Sequence, residues 1–311
     1  HHNSSVALMM DGILVCAMQE ERFTREKNFW GMPKASIQSV LDFAGIGVKD
    51  IDQIAFAGQR HSAHVNLTRD EHLKRLKNSV QMDLIDGIRG RSEVPVHLIF
   101  RRRINIMMRQ GLQGFFFERD VKAMQKARRE LLLEYFPRMV KLPISFIDHH
   151  TCHYSSAFYG GESIDEPVLV FTNDNQGDRL SASVSIAHPD GRREFLSKNQ
   201  DRDSIGMLWG LVTLLMGFVP LEHEYKLMGM APYASPESSR KVADAIANLF
   251  SFEEGVFKIK LRSVQSVINL QPIVDELYKI MRFQRFDSVC GGLQLFTEEA
   301  LSQWIEYWIS K

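Results

Sequence analysis

Apolar and polar positions alternate in short blocks at the start of the chain and give way to longer helical periods further along. Val6 to Met10, Asp11-Gly12 and Ile13 to Met18 read as a β-hairpin, because Asp-Gly supplies the positive φ angles of a type I′ turn. Pro33 stands at the opening of a helix whose apolar face is Ile37, Val40, Leu41 and Ala44, with Gly45 or Gly47 as its stop. Ile51 to Ala57 predicts the next strand, ending at Gly58. Residues 60–140 differ: they are polar and basic, with helical periodicity and few turn signals. They predict a helical insertion, whose last helix, over 120–135, carries Val121, Met124, Ala127, Leu131, Leu132 and Tyr135 on one side and is closed by Pro137.

The core pattern then resumes. A strand over 142–147 leads into a short helix through Tyr159, stopped by Gly160-Gly161. Strands are expected over 167–173, 180–187 and 193–197, with Asp190-Gly191 as a turn. Ser204 opens a helix rich in Leu, Trp and Met, up to Gly217, and another helix is expected over 235–250. Residues 251–290 are weakly patterned, and a last helix runs from about 294 to 309. This order predicts an α/β fold, a ribonuclease-H-like or actin-like ATPase mixed sheet with flanking helices and one helical insertion.

Composition narrows the classes. An apolar share of 44% is ordinary for a globular chain, and 38 Lys plus Arg against 38 Asp plus Glu leave no net pull toward nucleic acid or anionic membrane. The basic run Arg101 to Arg103, followed by Phe115 to Phe117, reads either as a surface for an anionic or amphipathic partner or as one solvated helical face. Cys16, Cys152 and Cys290 lie far apart with no CxxC spacing, which points to a reducing, cytoplasmic setting without a disulfide framework. No apolar stretch approaches the ~20 residues that span a bilayer, and no signal peptide is visible.

Candidate chemistry centres on Asp148-His149-His150-Thr151-Cys152-His153. His149 and His153 stand four apart, on one face of a helix. With Asp174, at the end of the following apolar run, they make a two-imidazole, one-carboxylate set that would take Fe, Mn or Zn. Cys152 reads as a soft ligand or a packed thiol. His2 has the pKa range of a general base, and reads as that, as a structural residue or as a tag remnant. Glu20 to Lys27 mixes both signs: Arg22, Arg25 and Lys27 could clamp phosphate oxygens, or the segment is an exposed strand end laced with ion pairs. Gly177 would permit close backbone approach to a phosphate, and Lys226 stands on an expected loop from which it could reach one.

Four clusters together carry a family resemblance. His2 to Leu8, Asp11-Gly12 and Glu20 to Lys27 resemble the amino-terminal signature of NodU/CmcH-type carbamoyltransferases, H-D-x-S-A-A-L-x-x-D-G followed by E-E-E-R-F-T-R-x-K. His149 to Tyr159 resembles their H-H-x-x-H-A-x-S-A-F-Y, Asp174 to Asp178 their D-G-x-G-[DE], and Glu224 to Tyr233 their E-Y-K-x-M-G-L-A-P-Y. The match runs in order from His2 to about Tyr233. Asn3 departs from the family's usual Asp and Asn175 from its Gly.

The resemblance implies a Kae1-like domain over residues 1–311, incomplete, whose second half, a further metal-binding aspartate and a YrdC-like carboxyl-terminal domain are expected outside this chain. It implies carbamoyl phosphate and ATP as substrates, joined as carbamoyl-adenylate, and transfer of the carbamoyl group to a hydroxyl or amine of a small molecule or sugar. His149, His153 and Asp174 fall on the family's metal ligands, with iron as the usual metal, and His2 on its motif histidine. Lys27 is the expected substrate contact, Glu21 and Arg22 look structural, and His150 is a weaker candidate for substrate or supporting contact. Residues 60–140 are the expected place for acceptor choice, and a homodimer is admissible. Two other readings stay open: a threonylcarbamoyl transferase acting on tRNA, which favours H-H-x-x-G-H, and a metal- or nucleotide-binding module without transfer activity. The isolated chain is expected to be inactive.

Overall fold

The fold was read from a computed structural model, which describes residues 3–29, 31–59, 121–161, 165–260 and 271–311. His2, most of the expected insertion and its basic and aromatic run lie outside the described residues. The chain divides into two compact units, His1–Ile147 and Asp148–Lys311, each described by itself below. Together they make an α/β protein whose described strands form several small sheets.

In the first unit, β1 (Ser5–Met10) and β2 (Ile13–Gln19) pair antiparallel with Met10 opposite Ile13. Asp11 at φ 51° and Gly12 at φ 80° are the turn, as its sequence requires. The Glu20–Lys27 segment is not a strand end. It forms a short helix, α1 (Glu21–Thr24), closed by Arg25 at φ 60°, and Arg25 and Lys27 are both exposed. Glu20 just before it is only 3% exposed, because its Oε1 accepts from the Ala35 amide at 3.0 Å and its Oε2 from the Ser36 amide at 2.7 Å. Those amides open α2 (Lys34–Ala44), whose own start, at Pro33, has no side-chain cap. A carboxylate remote in sequence thus satisfies two orphan donors and complements the helix dipole.

β3 (Ile54–Ala57) and β4 (Ile144–Ile147) are parallel, Ile54 opposite Ile144, and α3 (Val121–Tyr135) precedes β4 as a crossover helix. Leu132 of α3 joins Met32 and Met139 in a core flanked by Ile37, Ile54, Phe56 and Ile144. Arg128 is buried over the stacked rings of Phe56 and Phe146 and donates to the Gly58 carbonyl at 2.7 Å, tying α3 to the end of β3.

The second unit opens with α4 (His149–Tyr159), followed by the meander β5 (Val168–Gly177), β6 (Leu180–Ala187) and β7 (Arg193–Gln200). Even-numbered positions of β5 turn toward α4: Val170 packs with Tyr154, Phe158 and Ala187. The opposite face meets the last helix through Phe171 and Trp304, ring centroids 5.1 Å apart. β5 and β7 run longer than their apolar stretches suggested. Next come α5 (Ile205–Leu215), α6 (Glu224–Met230), α7 (Pro236–Ala247), a hairpin of β8 (Phe250–Glu253) and β9 (Val256–Ile259), α8 (Gln271–Met281) and α9 (Phe286–Ile309). Lys226 therefore stands on a helix, α6, and not on the expected loop. α9 starts well before the expected residue 294 because Gly291-Gly292 is not a break. It is the point where α9 meets α7, and a Cβ on either glycine would collide with Ser239 or Val242. No helix among the described residues is long and apolar enough to cross a membrane.

Glu20→Ala is expected to cost about 2 kcal/mol in urea unfolding, the price of two uncapped helix amides and a vacated buried site. Glu20→Gln, which keeps one acceptor oxygen, should cost less. Equal stability of wild type and Glu20→Ala would show that the cap contributes nothing.

Candidate metal centre

Helix α4 begins where Asp148 caps it, Oδ1 accepting from the Thr151 amide at 2.9 Å and its hydroxyl at 3.1 Å. Asp178 holds the first turn from the other side, accepting from the His149 amide at 2.7 Å. With the helix start fixed, His150, Tyr154 and Phe158 face the sheet and are buried, while His149 and His153 lie on the adjacent stripe, half-buried and exposed respectively. Asp174 comes from β5 two residues after Thr172, where regular pairing breaks between Asn173 and Gly177. Such an irregularity re-aims the side chain at the strand's end. Helix α5 secures this bend: Ser204 Oγ donates to the Asp174 carbonyl at 3.4 Å, and a Cβ at Gly206 would lie 2.8 Å from Asn175 Cα.

The result is a triangle of donor atoms. His149 Nε2 lies 2.8 Å from Asp174 Oδ2, His153 Nε2 lies 3.2 Å from the same oxygen, and the two Nε2 atoms are 3.0 Å apart. Three ligands each about 2.1 Å from one ion and mutually perpendicular would be ~3.0 Å apart. The three atoms therefore stand close enough together to share one ion. Asp174 Oδ1 accepts from the Asn175 amide at 2.6 Å, and Oδ2 is the oxygen that faces both imidazoles. The donor chemistry fits a divalent transition metal.

Electrostatics agree with the geometry. Burial would raise Asp174, but the hydrogen bonds from His149 and His153 outweigh it and hold the carboxyl far below its ordinary range. The hydrogen bond to Asp174 raises His149 against the lowering effect of burial. In the metal-free protein this pair stabilises the fold in a window. The Asp174 contribution is present above the unfolded carboxyl pKa and is lost as pH falls through the depressed folded value. The His149 contribution is present below the ordinary imidazole range and is lost as pH rises through the elevated one.

At Gly177 a Cβ would overlap the imidazole Cγ and Cδ2 of His149. Lys226 sets its ammonium 5.3 Å from the Phe218 ring centroid and 5.9 Å from that of Tyr225. Arg25 and Lys27 belong to the first unit, and the three donors, Gly177 and Lys226 to the second. Among the described residues, His149, His153 and Asp174 are the one group with metal-ligand spacing, and Cys152 is not part of it.

Beneath the triangle lies a buried polar row, of which the sequence pointed only to His150. His150, fully buried, meets Thr172 Oγ1 through Nδ1 at 2.9 Å, and Thr172 meets Ser183 Oγ at 2.7 Å. Burial lowers the His150 pKa, so this imidazole is held neutral. The signal for the row was present: Ser181, Ser183 and Ser185 alternate through an otherwise apolar strand, and all three are buried.

The sequence model described as the carbamoyltransferase N-terminus matches residues 1–302. The chain is 27% identical to the uncharacterized protein sll1178 of Synechocystis over 84% of this chain and 37% of that protein. It is 26% identical to the nodulation protein NolNO of Sinorhizobium fredii over 84% of this chain and 32% of the relative. An uncharacterized protein of Methanocaldococcus jannaschii, MJ1051, is 25% identical over 81% of this chain and 36% of its own length. The chain thus spans about a third of the length of the relatives it matches.

Gly177→Ala should displace the His149 ring and weaken Co(II) binding at least tenfold while far-UV circular dichroism stays unchanged. Wild-type affinity in that variant would show that the ring has room to move. In the wild type, proton competition at His149 should make Co(II) affinity fall as pH drops through that histidine's elevated pKa.

Proposed function

Because the chain belongs to the carbamoyltransferase family, we propose that it carries the transfer half-site of an ATP-dependent carbamoyltransferase, on a Kae1-like, actin-like ATPase scaffold. The observation that supports this reading is the triangle of His149 Nε2, His153 Nε2 and Asp174 Oδ2. A divalent metal held there, iron first and manganese or zinc as alternatives, would supply positive charge to a phosphate group and stabilise charge developing on it.

In this reading the chain's own residues have distinct tasks. His149 and His153 offer their Nε2 atoms, and Asp174 its Oδ2. Arg25, Lys27 and Lys226 are the cations proposed to meet phosphate oxygens of carbamoyl phosphate, ATP or the mixed anhydride. His2 is the proposed general base. It would take the proton from the acceptor hydroxyl or amine as that atom bonds to the carbamoyl carbon. The bond from the same carbon to the phosphate oxygen breaks, and AMP leaves with the electron pair. Carbamoyl-adenylate itself would form from carbamoyl phosphate and ATP in a YrdC-like domain of the whole protein. The acceptor is a small molecule or sugar, in a reducing, cytoplasmic setting.

Loading the protein with Mn(II) and adding AMP tests the reading at the residues in hand. AMP should broaden the Mn(II) paramagnetic resonance signal and displace bound water, and His153→Ala should abolish both effects. An unchanged signal on adding AMP would count against phosphate binding at this centre. In the whole protein, ATP and carbamoyl phosphate should release pyrophosphate and carbamoylate a small acceptor. Carbamoylated RNA in its place would favour the tRNA-directed alternative.

A further inference from the structure

The buried row under the metal ligands ends on Arg193, a residue that neither the motif pattern nor the donor triangle includes. Arg193 opens β7 opposite Ala187 at the end of β6, and its guanidinium runs back along the face of the sheet that α4 covers. Nε donates to Ser185 Oγ at 2.9 Å, Nη2 to Ser183 Oγ at 3.2 Å and Nη1 to Thr151 Oγ1 at 3.2 Å. The group lies between two rings, its carbon 4.1 Å from the Tyr154 centroid and 3.9 Å from that of Phe195. One planar side chain therefore grips two serines of β6, a threonine in the first turn of α4 and a tyrosine one turn further along. A planar fork with fixed donor directions does this; a point charge such as lysine cannot.

We propose that Arg193 is the positioning residue of the metal centre, setting the rotation of α4 about its own axis through Thr151 and through the chain Ser183–Thr172–His150. This rests on the metal reading given above. A guanidinium only donates, so Ser183 accepts from Arg193. Ser183 and Thr172 share one hydroxyl hydrogen bond, and Thr172 and His150 Nδ1 share the next. Fixed in this way, His150 holds its helix against β5 between the two ligand residues, its ring centroid 5.5 Å from that of His149 and 5.8 Å from that of His153. A helix rotated by a fraction of a turn would carry both Nε2 atoms away from Asp174 Oδ2 together. Arg193 touches none of the donor atoms, and its effect reaches them only through the orientation of α4. Outer partners of this kind are typically worth about ten- to a hundredfold in metal affinity.

The test compares Arg193→Lys, Thr172→Val and Thr172→Ser by Co(II) titration, reading both the dissociation constant and the visible ligand-field spectrum, with thermal unfolding as the check on folding. Thr172→Val keeps the shape and cuts the chain in its middle, so the proposal stays testable even where the arginine variant fails to fold. Arg193→Lys and Thr172→Val should bind Co(II) about ten- to a hundredfold more weakly with an altered spectrum, and Thr172→Ser, which keeps the hydroxyl, should resemble wild type. Wild-type affinity and spectrum in folded Thr172→Val, or equal loss in Thr172→Ser, would overturn the positioning role and leave the metal reading standing. A wild-type protein that shows no Co(II) spectrum removable by His153→Ala would overturn both.

Discussion

Helix α4 packs across the even-numbered face of strand β5, and the candidate site of the second unit depends on that contact. Val170, Thr172 and Asp174 share that face, and each meets the helix. Val170 takes the aromatic end, Tyr154 and Phe158. Thr172 takes His150. Asp174 takes His149 and His153. Apolar packing, a buried polar link and the candidate donor triangle are parts of one interface, so a shift that disturbs one disturbs all three. Everything else nearby restrains that interface: Asp148 and Asp178 hold the helix start, and Ser204 with Gly206 holds the strand's end.

Much of the fold was legible because its signals are local. The Asp11-Gly12 turn, the helix ending at Gly45, the α4 helix stopped at Gly160 and the three-stranded meander all lie close to where the pattern put them. Two misreadings share a cause: the segment takes its structure from a partner distant in the chain. Helix α9 begins earlier than its apolar period suggests, at a stretch where Gly291-Gly292 lies against α7. The Glu20 segment looks like a charged strand end until the amides of Ala35 and Ser36 are seen on its carboxylate. The β8–β9 hairpin turns on Glu254-Gly255, with φ 51° and 77°, a pair less distinctive than Asp-Gly.

The site divides in the same way. His149 and His153 follow from helical spacing alone, and Asp174 needs only the strand that precedes it. The support beneath them is not deducible from spacing, because Arg193 reaches α4 across two strands whose register the sequence does not state. The alternating serines of β6 marked a polar stripe on a buried face, but not what it bonds. Gly177 shows how one residue type can answer to different demands: its missing side chain suggested room for a phosphate, and in the structure that room holds the imidazole of His149.

The two imidazoles beside a single carboxylate have a consequence for which ions the proposed centre would accept. Asp174 Oδ2 is the oxygen that faces both rings, and the other two donors are nitrogens. Calcium, which wants six to eight oxygens, finds one oxygen and two nitrogens here. Magnesium finds two ligands of the wrong hardness. A cell holds both ions in large excess over iron or manganese, so the two imidazoles would act as a filter against the commonest competitors.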